Sequence, residues 1–340
     1  MDCNGGFVNN IKLYAQNDDA GRRLDRILRK ALPGYPLSAL HRLLRKGRVL
    51  VNGRPGKGED RIPSGALIEL PAKENETQLN NGKPALPKQP TALQDKSILW
   101  NGDGLFILDK PAGLAVHGGD GDQYNLDSMV KEYLKGKLPP SLSFKPGPLH
   151  RLDKPSSGIV VFALTLEAAK CFSKLLRKRK IQKRYLAILE GDLKKREIWE
   201  EMLARDKHIR KTFVPNGNSQ SEAAPATLAP PAMPAYTIAT PLARAKKNGM
   251  AYTLAQLEIV TGRTHQIRAH AAHHGHPLAG DRKYGGQNLR PESRGFFLHA
   301  VELELPNDKA VFPNIKRIIK SPPPEKFVMT VKELFGTMDL

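Results

Sequence analysis

Residues 148–158 concentrate charged and turn-forming side chains directly before an apolar stretch. They read Pro-Leu-His-Arg-Leu-Asp-Lys-Pro-Ser-Ser-Gly, and residues 159–162 then predict a buried strand. Arg151, Asp153 and Lys154 therefore place one carboxylate among cations at a sheet edge, where positive neighbours favour its ionised form. An ionised, oriented aspartate can act as a nucleophile or stabilise an oxocarbenium-like sugar centre. A structural salt bridge within a turn is the alternative.

A second polar cluster, residues 261–270, reads Thr-Gly-Arg-Thr-His-Gln-Ile-Arg-Ala-His. It follows a predicted strand and opens a predicted helix. Thr264 and Arg268 are one helical turn apart and can point the same way. The alternative is an ordinary capped helix with a surface arginine, and the spacing alone leaves both interpretations open.

Histidines are unusually dense from this cluster to residue 276. His270 and His274 have the i, i+4 spacing that can chelate zinc. However, the glutamate of the His-Glu-x-x-His pattern is missing, and no acidic residue comes nearby before Asp281. We therefore predict no metal site and assign packing and polar contacts to these histidines, which are His265, His270, His273, His274 and His276.

Apolar periodicity predicts the elements that position both clusters. Strand candidates cover residues 104–108, 158–164, 183–189, 252–260 and 296–305, and helix candidates cover residues 166–179 and 265–274. Thr165 is placed to cap the first helix and Gly275 to end the second. Because strands and helices do not alternate strictly, we predict an α+β sheet domain. The sequence contains neither of the Gly-rich phosphate loops of nucleotide-binding folds.

A smaller unit is predicted over residues 20–70. One helix carries an apolar stripe, which consists of Leu24, Ile27, Leu28 and Ala31. A second helix is expected to follow, with Ser38 as its N-cap and Gly47 just past its end. Residues 48–51 and 66–70 are predicted strands, and Asn52-Gly53 is a predicted tight turn.

Positive charge dominates the composition and is concentrated in this small unit. The chain of 340 residues has 54 Lys and Arg against 34 Asp and Glu, a net charge of +20. Residues 21–57 hold eleven of the cations and a single acid, Asp25. A solvated helix face usually mixes signs, so we interpret this one as a phosphate-binding surface. A basic surface that serves solubility alone is the alternative.

Two proline-rich or polar segments, the two cysteines and the first twelve residues argue against a membrane protein or a secreted disulfide-rich protein. Residues 72–95 are predicted to be a linker, and residues 223–241, which contain five prolines, are predicted to be an extended loop and not a membrane helix. Cys3 and Cys171 are too few for a disulfide framework and favour a reducing cytoplasm. Residues 1–12 lack an apolar core, so we expect no signal peptide.

The first polar cluster and four further segments match, in order, the motifs of one enzyme family. Residues 150–158 resemble the signature His-Arg-Leu-Asp-Lys-x-Thr-Ser-Gly of the RluA-type RNA pseudouridine synthases, with Ser156 where threonine is usual. Residues 20–70 resemble an RNA-binding domain of the ribosomal-protein S-four type. The other segments that resemble the synthases are residues 108–117, 182–187, 261–285 and 297–300.

The resemblance implies a role for each of four residues. Asp153 is the expected catalytic aspartate, and Arg268 is expected to pair with it and keep it ionised. Arg151 is expected to displace the target uridine and hold the gap in the RNA, and Tyr185 to stack on the flipped base. Flipping costs a few kcal/mol, and aromatic stacking returns about 1–3 kcal/mol per base.

We therefore predict an S-four-type domain over residues 20–71, a linker over 72–95 and a synthase domain over 96–340 with an insert near 223–241. The expected fold class is α+β, with a small helical and hairpin RNA-binding domain before a mixed, mainly antiparallel sheet with flanking helices. Further RNA contacts are expected from Arg22, Arg23, Arg26, Arg42, Arg45, Lys46, Arg263 and His265.

The expected reaction is the isomerisation of uridine to pseudouridine in a structured RNA, by a cytoplasmic monomer without metal, small-molecule cofactor or membrane partner. By resemblance, bacterial large-subunit ribosomal RNA is the first expected substrate and transfer RNA the second. A non-catalytic RNA-binding or ribosome-assembly protein is the alternative from another class, against which the presence of Asp153, Tyr185 and Arg268 argues.

Overall fold

The computed structural model describes residues 10–72, 93–118, 124–206, 208–215, 231–289, 295–307 and 311–336. These residues form two compact units. The first contains the described residues up to 72 together with Val130–Gly147 and Ala163–Ala169. The second contains the remaining described residues, including both tryptophans, Trp100 and Trp199.

The first unit begins with two small sheets and two helices. Strands β1, β6, β3 and β4 form one sheet in that order, and β2 pairs with β5. The elements are β1 Asn10–Tyr14, β2 Arg22–Arg23, α1 Leu24–Ala31, α2 Leu37–Arg45, β3 Leu50–Val51, β4 Arg54–Pro55, β5 Arg61–Ile62 and β6 Leu67–Pro71.

The predicted apolar stripe is confirmed, because Leu24, Ile27 and Leu28 are fully buried in the core of this unit. The turn is also confirmed, with positive φ at both Asn52 and Gly53, as a tight hairpin of the mirror-image type requires.

The N-cap assignment of the second helix was wrong. Pro36 occupies the cap position, and α2 begins at Leu37, so Ser38 lies inside the helix. The Pro36 carbonyl accepts hydrogen bonds from the N–H groups of Ala39 at 2.9 Å and Leu40 at 3.2 Å, and proline lacks the N–H that would go unpaired at a helix start. Gly47 lies just past the end of α2 with φ +63°, as predicted.

Asp19 is a fully buried carboxylate that joins distant segments of the first unit. It accepts hydrogen bonds from the backbone N–H groups of Leu142 at 3.0 Å and Ser143 at 2.9 Å, and from the hydroxyls of Ser141 and Ser143. The side chain of Leu142 packs against the same core as α1. Burial alone would raise the pKa of Asp19, but the bonds from Ser143 and its neighbours outweigh it and lower that pKa.

The second unit is built on a large mixed sheet with the strand order β13-β12-β14-β15-β11-β16-β10-β8-β7, to which β17 and β9 add at β16 and β10. Strands β10 and β16 are parallel, whereas β11 pairs antiparallel with both β15 and β16. The strands and helices that complete the chain are β7 Ile98–Gly102, β8 Leu105–Lys110, α3 Leu126–Tyr133, β9 Gly147–Pro148, β10 Ser157–Ala163, α4 Leu166–Arg177, β11 Gln182–Glu190, β12 Glu197–Asp206, β13 Lys211–Phe213, β14 Met233–Lys247, β15 Met250–Ile259, α5 Gln266–His273, β16 Leu298–Glu304, β17 Ile318–Lys320 and α6 Glu325–Phe335.

The extended loop predicted for residues 223–241 was wrong where the structure describes it. Residues 233–241 belong to β14, which pairs with both β12 and β15. Prolines misled the interpretation, since they usually exclude an inner strand. Here Pro234 is the second residue of the strand, and Pro241 lies at a bulge, where the ladder is already interrupted. Residues 223–230 lie outside the described residues, as does most of the predicted linker.

Among the described residues, no helix combines the length and apolar character needed to cross a membrane.

Candidate active site

A cavity of about 540 Å³ opens in the second unit, and both polar clusters line it. The first cluster contributes the segment between β9 and β10, and the second contributes the segment between β15 and α5. Strand β11 crosses between them and adds Lys183 and Tyr185. The volume falls in the range of small-ligand pockets, so one nucleotide base with its sugar can enter.

Arg268 joins two carboxylates at the wall of this cavity. Its Nη1 donates to Asp153 Oδ2 at 2.9 Å. Its Nε and Nη2 donate to the two oxygens of Asp281 at 2.6 and 2.8 Å. The predicted pairing of Asp153 with Arg268 is therefore present in the geometry, across 115 residues of sequence.

The guanidinium of Arg268 is held on every side. Its central carbon lies 4.7 Å from the ring centre of Tyr284 and 4.5 Å from that of Phe296, and the residue is 7% exposed. Burial lowers the pKa of Arg268, but Asp281 and then Asp153 outweigh it and raise that pKa. A permanently charged, immobile fork thus faces the carboxylate of Asp153.

Lys110, at the end of β8, fixes the backbone next to the aspartate. This side chain is fully buried, and its Nζ donates to the carbonyl oxygens of Leu114 at 2.7 Å and Pro111 at 2.9 Å. A third bond of 3.3 Å reaches the carbonyl oxygen of Lys154, the residue after Asp153. Burial lowers the pKa of Lys110 to about 8. The ammonium therefore connects the turn after β8 to the loop that carries the aspartate.

The chain then passes close to β16, which explains a glycine in the signature. A Cβ at Gly158, where φ is +105°, would lie 2.3 Å from the carbonyl oxygen of Ala300. One residue earlier, the Ser157 hydroxyl lies 2.9 Å from Nδ1 of buried His299, whose Nε2 lies 3.0 Å from the carbonyl oxygen of Ser321. These contacts lock the start of β10 against β16.

Lys183 and Tyr185 are two residues apart on β11 and therefore point to the same face. Tyr185 is 5% exposed, and burial, with a contribution from the charge of Asp153, raises its pKa. Lys183 is half-buried, and burial lowers its pKa to about 8. The aromatic ring predicted to stack on a base therefore forms a wall of the cavity, next to a cation whose role the sequence did not indicate.

Gln266 shapes the segment before α5. Its Oε1 accepts hydrogen bonds from the Thr261 hydroxyl at 2.8 Å and the Arg263 N–H at 3.0 Å. Its Nε2 donates to the Tyr236 carbonyl and the Thr237 hydroxyl, both at 3.0 Å. One buried amide therefore connects the turn before α5 to β14, and all four of its bonding positions are used.

The other residues named from the sequence occupy different places. Arg151 is exposed at the cavity, and Arg263 and His265 line it. In the first unit, Arg22 donates to the Ser143 carbonyl at 3.0 Å and Arg23 is bound to Asp25, which leaves them less available than expected. The remaining predicted RNA contacts of that unit, Arg26, Arg42, Arg45 and Lys46, are exposed.

The sequence did not indicate roles for Asp281 and Tyr284, which complete the setting of Arg268. Both lie in the segment 261–285, which resembles the synthases, and its Gly-Asp-x-x-Tyr pattern was an available signal.

Two histidines of the cluster, His270 and His274, face one carboxylate. Nε2 of His274 lies 2.8 Å from Glu201 Oε1, and Nε2 of His270 lies 3.4 Å from Glu201 Oε2. Across the described ranges, no group of three or more His, Cys, Asp or Glu side chains has the arrangement needed to hold a metal ion.

Comparison with known proteins identifies the same family that the sequence motifs resemble. The sequence profile of the family described as "RNA pseudouridylate synthase" matches residues 104–273, and that of the S4 domain matches residues 22–68. Two curated relatives are named "Ribosomal large subunit pseudouridine synthase C". The one from Vibrio cholerae is 31% identical over 87% of this chain and 90% of its own, and the one from Escherichia coli (strain K12) is 32% identical over 84% and 86%. This chain belongs to the RNA pseudouridylate synthase family. It is an isomerase of the RluA type with an S4 domain.

Solved structures support the fold of this pseudouridine synthase. Human RNA Pseudouridylate Synthase Domain Containing 4 aligns with a TM-score of 0.55 at 22% identity, over 70% of this chain and 94% of that one. Human RNA Pseudouridylate Synthase Domain Containing 1 aligns with a TM-score of 0.52 at 23% identity, over 70% and 87%. The predicted α+β class with a mixed, mainly antiparallel sheet is confirmed.

Acidification is expected to destabilise the second unit through its buried histidines. Burial lowers the pKa of His270 to about 4, from an ordinary value of 6.5. The unfolded chain therefore binds more protons than the folded one between these values, so the free energy of unfolding falls as the pH is lowered from 6.5 to 4. His270→Asn should flatten this slope by at most about 1.4 kcal/mol per pH unit, which is one proton.

The measurement is urea unfolding followed by tryptophan fluorescence at pH 4.5 to 7.5, since both tryptophans report on this unit. His208→Asn, at an exposed position of the same unit, is the control and should leave the slope unchanged. Equal slopes for His270→Asn and the unaltered protein would contradict the assignment.

Proposed function

We propose that this pseudouridine synthase modifies uridines of bacterial large-subunit ribosomal RNA in the cytoplasm, with Asp153 as its catalytic residue. The observation that carries the catalytic assignment is the bond of 2.9 Å from the rigid Arg268 fork to Asp153, at the wall of a cavity of base-and-sugar size. The ribosomal substrate is supported by the name that both curated relatives carry and by the S4 match.

The reaction breaks the bond between C1′ of the ribose and N1 of uracil, turns the base, and forms a bond between C1′ and C5. The hydrogen on C5 leaves as a proton and N1 gains one, so no atom is added and nothing is oxidised. An ionised Asp153 can serve this sequence by attack on C1′, by attack on C6, or by taking a sugar proton in an elimination. All three require the anionic carboxylate that Arg268 holds.

The target base must first leave the RNA stack, which costs a few kcal/mol. Arg151 is exposed beside the cavity and can occupy the position that the base vacates. Inside, the ring of Tyr185 offers a stacking surface worth about 1–3 kcal/mol. Binding energy from these two side chains offsets the cost of flipping.

The exposed cations of the S4 unit are expected to bind RNA phosphates. Joint replacement of Arg26, Arg42, Arg45 and Lys46 by glutamine should weaken RNA binding and reduce the slope of log K against log salt by about 2–4, because each phosphate that a cation neutralises adds nearly one to that slope. Binding isotherms at several salt concentrations measure both quantities.

Arg23→Gln is the matched control for that experiment. This guanidinium already donates to Asp25 at 3.2 and 2.7 Å, so its loss should alter the salt slope much less per charge removed. A slope that the fourfold variant leaves unchanged would show that this surface does not bind the RNA.

The deciding experiment for the function is release of tritium from C5 of labelled uridine. Transcripts of large-subunit ribosomal RNA are compared with transfer RNA, using the unaltered protein and Asp153→Ala. Release from ribosomal transcripts by the unaltered protein alone supports both the substrate and the residue. Release from transfer RNA alone moves the substrate assignment there. Release by Asp153→Ala at the unaltered rate contradicts the catalytic assignment.

A further inference from the structure

His265 has a strained backbone directly at the site. Its φ of +54° is in the left-handed region, at the position before α5. A non-glycine residue there costs free energy that the surrounding structure must supply, and such strain is concentrated at functional sites. The side chain is 14% exposed and lies between two partners, Asp153 and Tyr284.

The two ring nitrogens of His265 face groups of different kinds. Nδ1 lies 2.9 Å from the Tyr284 hydroxyl, which already accepts a hydrogen bond of 2.8 Å from the Thr212 backbone N–H. Nε2 lies 3.8 Å from Asp153 Oδ1, the carboxylate oxygen that Arg268 does not hold. The ring is also edge-on to that of Tyr284, with centres 5.7 Å apart.

These contacts decide where the ring proton lies. A lone pair on Nε2 would point at a carboxylate oxygen, which is repulsive, whereas an Nε2–H is attracted to it. The Tyr284 hydroxyl accepts from Thr212 and has one hydrogen, which it can donate to Nδ1. Burial raises the pKa of Tyr284, so that hydrogen is retained. Burial also lowers the pKa of His265 to about 4. The charge of Asp153 opposes this shift and Arg268 adds to it, and the ring therefore carries one proton and not two.

We infer that His265 is a positioning residue for the reaction, held by the Tyr284 hydroxyl as the Nε2–H tautomer that is directed at Asp153 Oδ1. Arg268 fixes one carboxylate oxygen and His265 orients the other. Since 3.8 Å is too long for a hydrogen bond, the N–H restricts the carboxylate electrostatically and leaves Oδ1 able to meet the nucleotide. This inference rests on the proposed catalytic role of Asp153.

Two substitutions of His265 test the roles of its Nδ1 and Nε2 atoms separately. His265→Gln places an amide N–H near the position of Nε2, whereas His265→Asn reaches the position of Nδ1 and offers no donor towards Asp153. We expect His265→Gln to retain kcat within about fivefold and His265→Asn to lose about a hundredfold at saturating RNA, the range of one positioned donor. Similar losses in both variants would overturn the inference.

Tyr284→Phe tests the hydroxyl without removing the ring that packs on Arg268. It should lower kcat about tenfold in the unaltered background, and by less than twofold in the His265→Gln background, where no tautomer needs to be fixed. Because Thr212 also loses its acceptor, a purely structural effect would be equal in both backgrounds. Equal effects would therefore contradict the inference.

Nitrogen-15 NMR of protein labelled at histidine tests the tautomer without any substrate. At pH 7.5 the unaltered protein should show a His265 ring protonated at Nε2, and Tyr284→Phe should show a mixture with the Nδ1-protonated form. A ring protonated at Nδ1 in the unaltered protein overturns this inference even if turnover is normal. Absence of turnover on every RNA, with the expected tautomer, contradicts the proposed function instead.

Discussion

Asp153→Asn is expected to lower the rate of pseudouridine formation by at least about 10³-fold while RNA affinity stays within about twofold. Asparagine has the same shape and can still accept the bond from Arg268 Nη1. It cannot attack carbon or take a proton, because its amide is neutral and a very weak base. The chemical step therefore fails, whereas the phosphate and stacking contacts that bind the RNA are intact.

Single-turnover tritium release and filter binding measure these two effects separately. Asp192→Asn is the control, since Asp192 is exposed and pairs with Arg244 at 3.2 Å on the surface. Turnover within tenfold of the unaltered protein would show that Asp153 is not the catalytic carboxylate. A matching loss of RNA affinity would instead indicate that its role is in binding.

Arg268→Lys is expected to lose about 10²-fold or more in turnover and about 2 kcal/mol in the free energy of unfolding. The guanidinium makes three charge-assisted bonds in a fixed fork, one to Asp153 and two to Asp281. An ammonium has one nitrogen and cannot reach both carboxylates at these distances. Asp281 is 1% exposed, and a buried carboxylate needs a positive partner. The lysine ammonium would therefore pair with Asp281, and Asp153 would lose its bond to a cation.

Asp281→Asn separates the two effects of that substitution. It leaves the bond between Arg268 and Asp153 in place but weakens the support behind it, so turnover should fall less than in Arg268→Lys. Urea unfolding by tryptophan fluorescence gives the stability of the second unit. Normal turnover in Arg268→Lys would show that one positive charge suffices and that the fork is unnecessary.

Periodicity predicted the regular elements well where one face is clearly buried. The helix Leu24–Ala31 and the strand Ser157–Ala163 are close to the predicted ranges, since an apolar stripe and an apolar run leave few alternatives. It failed for Met233–Lys247, where prolines suggested a loop although a strand start and a bulge tolerate them. The N-cap at Ser38 failed because a proline two residues earlier suits the helix start.

The site was less accessible to sequence reasoning than the fold. Spacing alone did not exclude a purely structural role for either polar cluster. The pairing of Asp153 with Arg268 was implied only by the family resemblance. No local pattern states that Asp153 and Arg268, 115 residues apart, share a bond. The roles of Asp281 and Tyr284 were missed because each acts through Arg268 or His265, and such contacts depend on how the turn after α5 folds back.

The contacts of Asp19 limit how this protein can be taken apart or recombined. Deletion of residues 1–71, or their replacement by a foreign S4 domain, would remove Asp19, the acceptor of four hydrogen bonds from Ser141, Leu142 and Ser143. It would also uncover Leu142, which packs on the core of the first unit. The natural exchange unit is therefore not a contiguous stretch of sequence: a graft that is expected to fold must carry residues 141–143 along with residues 10–72.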